Sequence, residues 1–231
     1  DCWHGVLVED PYVNLYPKRN KVLNNRISGT KAYGVAVYLP ETDGNTDNQV
    51  RDNKISGIRG NVLTNSAGMG VYVVGAGALG TLVRDNVIDN CCINTDNENL
   101  APGAIGLSGA HGCVIESNTI RGMTKYDGIR VVSSNNCRVQ DNDIYMPAGN
   151  TTASASIYAL DSDFISIKDN AIACDATSAR RQVWVRSVSK ETLSPVVDGN
   201  SIKGGQTASI LELNGANMTT LAVKDALVAN N

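Results

Sequence analysis

Blocks with the same order of apolar and polar positions recur along this chain of 231 residues. The segment NKVLNNRISG at 20–29 returns almost unchanged as NQVRDNKISG at 48–57. Both follow the skeleton Val/Ile-x-x-Asn-x-Ile/Val. Further blocks with this skeleton are TLVRDNVIDN, CVIESNTIRG, CRVQDNDIYM, ISIKDNAIAC and PVVDGNSIKG, and a degenerate last copy, LAVKDALVAN, has Ala226 in place of the asparagine. Repeats therefore organise the whole chain.

The asparagines of the skeleton recur at an irregular interval. Successive gaps are 28, 33, 32, 24, 28 and 30 residues, between Asn25, Asn53, Asn86, Asn118, Asn142, Asn170 and Asn200. Such a period is typical of a solenoid in which the coils repeat and the loops vary. Asparagine suits a repeated turn because its short amide tolerates left-handed backbone and bonds nearby main chain. Stacked at the strand spacing of ~4.8 Å, these side chains are predicted to form a ladder.

A second apolar run precedes each block. The runs are GVLV at 5, GVAV at 34, GVYV at 70, AIGL at 104, GIRV at 128, SIYA at 156, QVWV at 182 and ILEL at 210. Alternate residues in these runs are apolar, which is the period of a strand with one buried face. Each coil is therefore predicted to consist of a few short strands separated by turns.

Two kinds of solenoid carry such asparagines. A leucine-rich repeat requires leucine at most positions and a helical return segment, whereas valine and isoleucine dominate here and the return segments hold many Gly, Pro, Asn and Thr residues. The all-β alternative is therefore favoured. The pattern resembles the right-handed parallel β-helix superfamily of pectate-lyase-like proteins and phage tailspikes. The resemblance implies an all-β, right-handed, single-stranded parallel β-helix. The eight copies of the skeleton predict about eight coils, and the single repeat array predicts one domain over 1–231.

Composition narrows the possible partners and compartments. A net charge of -3 and the absence of a basic cluster indicate neither nucleic-acid nor membrane binding. Of the six cysteines, Cys113 and Cys137 hold the same apolar position in adjacent blocks, so we expect free thiols in the core and assembly in a reducing cytoplasm. Neither end of the sequence looks capped, so we expect a fragment of a longer chain or ends covered by partner chains.

The outward positions of the second run carry aromatic and aliphatic side chains where a solvated sheet would be polar. They include Tyr38, Tyr72, Arg130, Tyr158 and Trp184. One interpretation is a subunit interface, such as three β-helices packed side by side in a homotrimer would make. The other is a glycan-binding platform, on which aromatic rings stack against sugar C–H groups. In the second case these five residues are the predicted substrate-binding residues.

Glycosidic cleavage uses two carboxyl groups about 5 to 10 Å apart. Asp127 precedes one outward-facing strand and Asp161 follows the next, so we expect a separation that suits an inverting hydrolase. Arg130, between them, would orient an acidic sugar. The alternative is a surface ion pair between Asp127 and Arg130. Glu41 and Glu98, in long loops, are the reserve candidates.

The resemblance to tailspikes implies that the protein binds and cleaves a bacterial surface polysaccharide, and that it lies in a virion tail or on an extracellular surface. The alternatives are a noncatalytic β-helical shaft or adhesin segment and a polysaccharide lyase of the pectate-lyase type. We predict no cofactor and no metal, with calcium only if the protein is a lyase. Both His4 and His111 are interpreted as structural.

Overall fold

The computed structural model describes residues 2–9, 18–40, 47–60, 67–93, 103–123, 125–150, 155–175, 181–189 and 192–204, and the backbone alone of 211–215, 223–224 and 227–229. Within these ranges the regular elements are all β-strands. No described helix is long and apolar enough to pass through a lipid bilayer.

Three parallel sheets run along the solenoid, and the chain visits them in turn. Sheet 1 consists of β1 (His4–Glu9), β4 (Tyr33–Tyr38), β7 (Met69–Val74), β10 (Gly103–Ser108), β13 (Asp127–Val132), β16 (Ala155–Leu160), β19 (Arg181–Ser187) and β23 (Leu211–Gly215). Sheet 2 consists of β2 (Lys21–Leu23), β5 (Gln49–Arg51), β8 (Leu82–Arg84), β11 (Val114–Glu116), β14 (Arg138–Gln140), β17 (Ser166–Lys168), β21 (Val196–Asp198) and β25 (Leu227–Ala229). Sheet 3 consists of β3 (Arg26–Ser28), β6 (Lys54–Ser56), β9 (Val87–Asp89), β12 (Thr119–Arg121), β15 (Asp143–Met146), β18 (Ala171–Cys174) and β22 (Ser201–Gly204). The strands β20 (Thr192–Leu193) and β24 (Val223–Lys224) form a separate pair.

The predicted fold class, an all-β parallel β-helix with an asparagine ladder, is confirmed. Six coil-to-coil steps separate β3 from β22 in sheet 3. The solenoid therefore completes about six turns rather than the predicted eight, because the final coil adds no described strand to sheet 3.

The core is a set of β-branched columns, because equivalent residues of successive coils pair in register. In sheet 2 the buried column is Val22, Val50, Val83, Ile115, Val139, Ile167 and Val197. In sheet 3 it is Ile27, Ile55, Ile88, Ile120, Ile144 and Ile172. These are the two β-branched positions of the repeated skeleton, which fit a pleated buried surface well.

Glycine is the second residue of four sheet 1 strands, at Gly5, Gly34, Gly70 and Gly128, and it has a steric cause. A Cβ atom on Gly34 would lie 2.5 Å from Cγ2 of Ile55 and 2.6 Å from the carbonyl oxygen of Gly70. The position therefore faces inward against sheet 3, and so does the following residue, Val35, which is fully buried. Two consecutive inward positions interrupt the alternation of the strand, so the residue before the glycine turns outward.

The ladder of asparagines holds one edge of the solenoid. From Asn25 to Asn170, the main-chain N–H of each ladder asparagine donates to Oδ1 of the asparagine one coil later, at 2.9 to 3.1 Å. Each Nδ2 donates to the same oxygen, at 2.9 to 3.0 Å. From Asn53 onward, Nδ2 also donates to a main-chain carbonyl of the preceding coil. The ladder therefore satisfies polar groups that the turns bury.

The left-handed backbone at this turn belongs to the residue before the asparagine, so its expected assignment to the asparagine itself is wrong. Positive φ angles occur at Asp52 (59°), Asp85 (53°), Asp141 (56°) and Asp169 (54°). Aspartate is among the residues that tolerate this conformation. In the recurrent Asp-Asn dipeptide the aspartate therefore forms the turn, and the asparagine forms the ladder.

All six cysteines are free thiols, as predicted. Cys113 and Cys137 stack on adjacent coils, and the thiols donate to the carbonyl oxygens of Ala78 and Ala110 respectively, each at 3.3 Å. His111 has a turn role, because its Nδ1 accepts a hydrogen bond of 2.9 Å from the main-chain N–H of Asn135. This contact agrees with the structural role predicted for that histidine.

Candidate functional site

The outer face of sheet 1 presents three columns of side chains, which the strand register defines. The first column is His4, Tyr33, Met69, Gly103, Asp127, Ala155 and Arg181. The middle column is Leu7, Ala36, Tyr72, Gly106, Arg130, Tyr158 and Trp184. The third column is Glu9, Tyr38, Val74, Ser108, Val132, Leu160 and Arg186. All five predicted substrate-binding residues lie on this face, but the structure divides them between two separate clusters.

The first cluster surrounds a cavity of about 290 Å³ on the first three coils, which we call the tyrosine pocket. Its lining residues are His4, Leu7, Glu9, Tyr33, Ala36, Tyr38 and Tyr72. The small side chain of Ala36 leaves room between larger neighbours in the middle column. Tyr38 and Tyr72, predicted to bind substrate, are thus brought together in one pocket.

Three rings stack along one wall of the tyrosine pocket. The centroids of His4 and Tyr33 are 5.4 Å apart with planes 5° from parallel, and those of Tyr33 and Tyr72 are 5.1 Å apart at 30°. Tyr38 and Leu7 remain open to solvent, at 44% and 43% exposure. The pocket therefore combines a preorganised aromatic wall with accessible apolar surface.

Burial disfavours the charged forms of the ionisable side chains of this wall. Burial lowers the pKa of His4, and the nearby carboxylate of Glu9 opposes this effect. Burial, with smaller contributions from Tyr72 and Cys92, raises the pKa of Tyr33 to about 12. Burial also raises the pKa of Tyr72, against a hydrogen bond with Ser108. Nδ1 of His4 is buried and has no hydrogen-bond partner within the described part of the chain.

The second cluster, the arginine–aromatic stack, comprises Arg130, Tyr158, Trp184, Arg181 and Arg186. The rings of Tyr158 and Trp184 lie 4.8 Å apart. The guanidinium carbon of Arg130 lies 4.6 Å from the centroid of Tyr158, and those of Arg181 and Arg186 lie 3.9 and 5.0 Å from that of Trp184. Cation–π contact of this kind stabilises buried aromatic rings.

The rings of the arginine–aromatic stack are covered within the chain itself. Tyr158 is 3% exposed and Trp184 is 9% exposed, whereas a sugar-stacking platform needs an open ring face. The burial therefore does not support the glycan-platform interpretation at these two residues. The strand positions explain why these rings are covered. Arg130 pairs in register with Tyr158 on the neighbouring strand, and Arg181 lies on the same strand as Trp184.

Asp127 is a buried ion-pair partner. Its side chain is fully buried, and Oδ2 lies 3.0 Å from Nη1 of Arg130, whose side chain is 15% exposed. Its Oδ1 accepts a hydrogen bond of 2.9 Å from the main-chain N–H of Ala155 on the next coil. The ion pair that the sequence suggested is present, but it is buried rather than on the surface.

Asp161 organises a turn of the next coil. It has a left-handed backbone (φ 49°) and is 5% exposed. Its carboxylate accepts hydrogen bonds from the main-chain N–H groups of Val188 and Ser189, at 2.6 and 3.1 Å, and from Oγ of Ser189 at 2.6 Å. Such a carboxylate, itself buried, satisfies several donors of the turn at once.

The structure does not bring Asp127 and Asp161 together. Leu160 pairs with Val132, so Asp161 lies level with Ser133, six residues beyond Asp127 in the numbering. At ~3.3 Å per residue this offset is ~20 Å, whereas paired carboxyl groups of inverting enzymes are roughly 6.5 to 9.5 Å apart. The predicted separation is therefore wrong, because the two residues lie at opposite ends of their strands. The reserve candidates Glu41 and Glu98 lie outside the described residues.

Sequence reasoning missed part of the tyrosine pocket. Alternation identifies Leu7, Glu9 and Ala36 as outward residues, but it gives no signal that separates them from the other outward residues. Tyr33 has the same parity as the buried Val35, so strict alternation places it inside. The glycine of the run is the available signal, since the inward turn at Gly34 directs Tyr33 outward.

The described residues contain no group of three or more His, Cys, Asp or Glu side chains arranged to hold a metal ion. The Asp-Asn dipeptides, which resemble calcium-binding sequences, lie at the turns of the ladder instead.

Comparison with protein-family models and with curated proteins gives no match to this chain. Its classification therefore comes from the structure alone: the chain is a parallel β-helix with an aromatic pocket on the outer face of sheet 1.

Proposed function

We propose that the protein binds a bacterial surface polysaccharide in the tyrosine pocket, with the glycan extending over the outer face of sheet 1. The observation that carries the proposal is the pocket itself: a cavity of about 290 Å³ with an aromatic wall, an open tyrosine and one carboxylate. Sugars present both C–H faces and hydroxyl groups, so they match a site that combines aromatic rings with a few polar groups. The resemblance of the repeats to tailspikes supports the same class of ligand.

Binding has more support than cleavage. Glu9 is the one carboxylate among the described residues that line the pocket, whereas hydrolysis of a glycosidic bond uses two. Asp127 and Asp161 each accept hydrogen bonds that hold neighbouring backbone. Cleavage by a hydrolase or lyase stays a prediction, and the same experiment tests it.

The experiment is a panel of purified O-antigens, capsules and exopolysaccharides, with binding measured by biolayer interferometry and cleavage by released oligosaccharides. We expect at least one polysaccharide to bind, and Tyr38→Ala to weaken that binding about tenfold or more, since one aromatic stacking contact is removed.

Tyr145→Ala is the matched control. Tyr145 is 42% exposed, close to the 44% of Tyr38, but lies on sheet 3. Equal loss of binding in both variants, or no binding to any member of the panel, would contradict the proposal and favour a noncatalytic shaft segment.

A further inference from the structure

The charge in the tyrosine pocket is asymmetric. Among the described residues that line it, Glu9 is the one acidic side chain, and none is a lysine or an arginine. Burial lowers the pKa of His4, which favours the neutral imidazole. The pocket therefore combines one negative charge with aromatic rings and phenol oxygens. This environment attracts cations and repels anionic groups.

The side chain of Glu9 is accessible to a ligand that also contacts Tyr38. It belongs to the third column of sheet 1 and is in register with Tyr38 on the next coil. Both side chains are exposed to solvent, so a bound group can reach the carboxylate and the ring of Tyr38 together. A protonated amine would form a charge-assisted hydrogen bond with Glu9, while the adjoining carbon atoms contact Tyr38.

The size of the cavity limits the ligand. A volume of about 290 Å³ is just below the usual range for small-molecule sites, so the pocket matches one sugar ring better than several. A uronic acid or another acidic sugar would place its carboxylate near Glu9, and the two like charges would repel each other.

Building on the proposed function, we propose that the tyrosine pocket selects a sugar with a free amino group, such as an amino-sugar residue of the polysaccharide, and that Glu9 binds its ammonium group. Tyr38 packs against the same ring. The pocket thus supplies chemical selectivity for one residue of the chain, and the rest of the outer face of sheet 1 supplies extended contact.

Three methyl glycosides that differ in a single substituent test this inference: those of glucosamine, N-acetylglucosamine and glucose. Their dissociation constants are measured by ligand-observed NMR titration at neutral pH. We expect the glucosamine derivative to bind about tenfold more tightly than the other two, as a charge-assisted hydrogen bond implies. In Glu9→Gln, which keeps the shape of the side chain, we expect the three affinities to converge within about twofold.

Asp143→Asn is the control, because it removes the same charge from an exposed residue of sheet 3, and it should leave the preference intact. Circular dichroism and thermal unfolding establish that each variant is folded. Equal affinities for the three glycosides, a preference that persists in Glu9→Gln, or no binding of any glycoside would overturn the inference. The proposed function is judged separately by the polysaccharide panel and Tyr38→Ala, so the two failures are distinguishable.

Discussion

At the scale of single residues, each buried asparagine of the ladder serves several partners. Asn118 accepts hydrogen bonds from the main-chain N–H and the Nδ2 of Asn86, and it donates to the carbonyl oxygens of Val83 and Glu116. It also donates to Oδ1 of Asn142. An aliphatic side chain replaces none of these bonds. Substitution of a ladder asparagine should therefore lower the stability by more than the small size of its side chain suggests.

We expect Asn118→Ala to lower the free energy of unfolding by about 2 to 4 kcal/mol, because it leaves buried groups of Asn86 and Val83 unpaired. Asn25→Ala is the matched change at the exposed end of the ladder, and we expect it to lower this free energy by less than about 1 kcal/mol. Urea unfolding followed by circular dichroism measures both. Equal losses in the two variants would show that burial does not govern the ladder.

The roles of individual aspartates could be predicted only in part. The Asp-Asn dipeptide is visible in the sequence, and its turn chemistry follows from local backbone preference. Asp127 and Asp161 differ, because their partners Ala155, Val188 and Ser189 come from the next coil. Sequence spacing indicates which coil a residue belongs to, but not which N–H groups its carboxylate meets.

At the scale of elements, the predicted strands are present, and the exception to strict alternation occurs at the first residues of sheet 1 strands. Gly34 and Val35 both face inward, so Tyr33 joins the outer face and the pocket. Alternation alone cannot predict this break. A glycine at the same point of several runs is the sequence signal of a position with no space for a Cβ atom.

A pair of glycine variants tests this account of the strand. In Gly34→Ala the new Cβ would meet the backbone oxygen of Gly70, 2.6 Å away, which cannot move without disturbing the sheet. We expect a loss of stability of about 1 to 3 kcal/mol. In Gly106→Ala the nearest atom is Sδ of Met69, at 2.7 Å, which belongs to a flexible side chain.

We therefore expect Gly106→Ala to lower the free energy of unfolding by less than about 1 kcal/mol. Thermal and urea unfolding of both variants check the comparison. A larger loss in Gly106→Ala than in Gly34→Ala would contradict the inward orientation of the glycine position.

At the scale of the whole molecule, the repeat determines the fold because every coil buries the same positions against its neighbours. The repeat does not determine the outer surface, because the exposure of each outward side chain depends on which neighbouring residues cover it. The homotrimer stays a prediction, and one of its grounds is weaker, because Tyr158 and Trp184 are covered within the chain. Among the sheet 1 side chains that the structure describes, the large exposed apolar ones are Leu7 and Tyr38.

The central claim is that polysaccharide binds at the tyrosine pocket, and hydroxyl-radical footprinting of the complex tests it most directly. The protein is labelled with and without a saturating amount of the polysaccharide that the panel identifies, and oxidation of each side chain is measured by mass spectrometry. Leu7 and Tyr38 should lose most of their reactivity. Tyr145 and Phe164, which are 42% and 51% exposed and do not line the pocket, should keep theirs. Unchanged oxidation of Leu7 and Tyr38 in the saturated complex, or protection confined to Tyr145 and Phe164, would contradict the account.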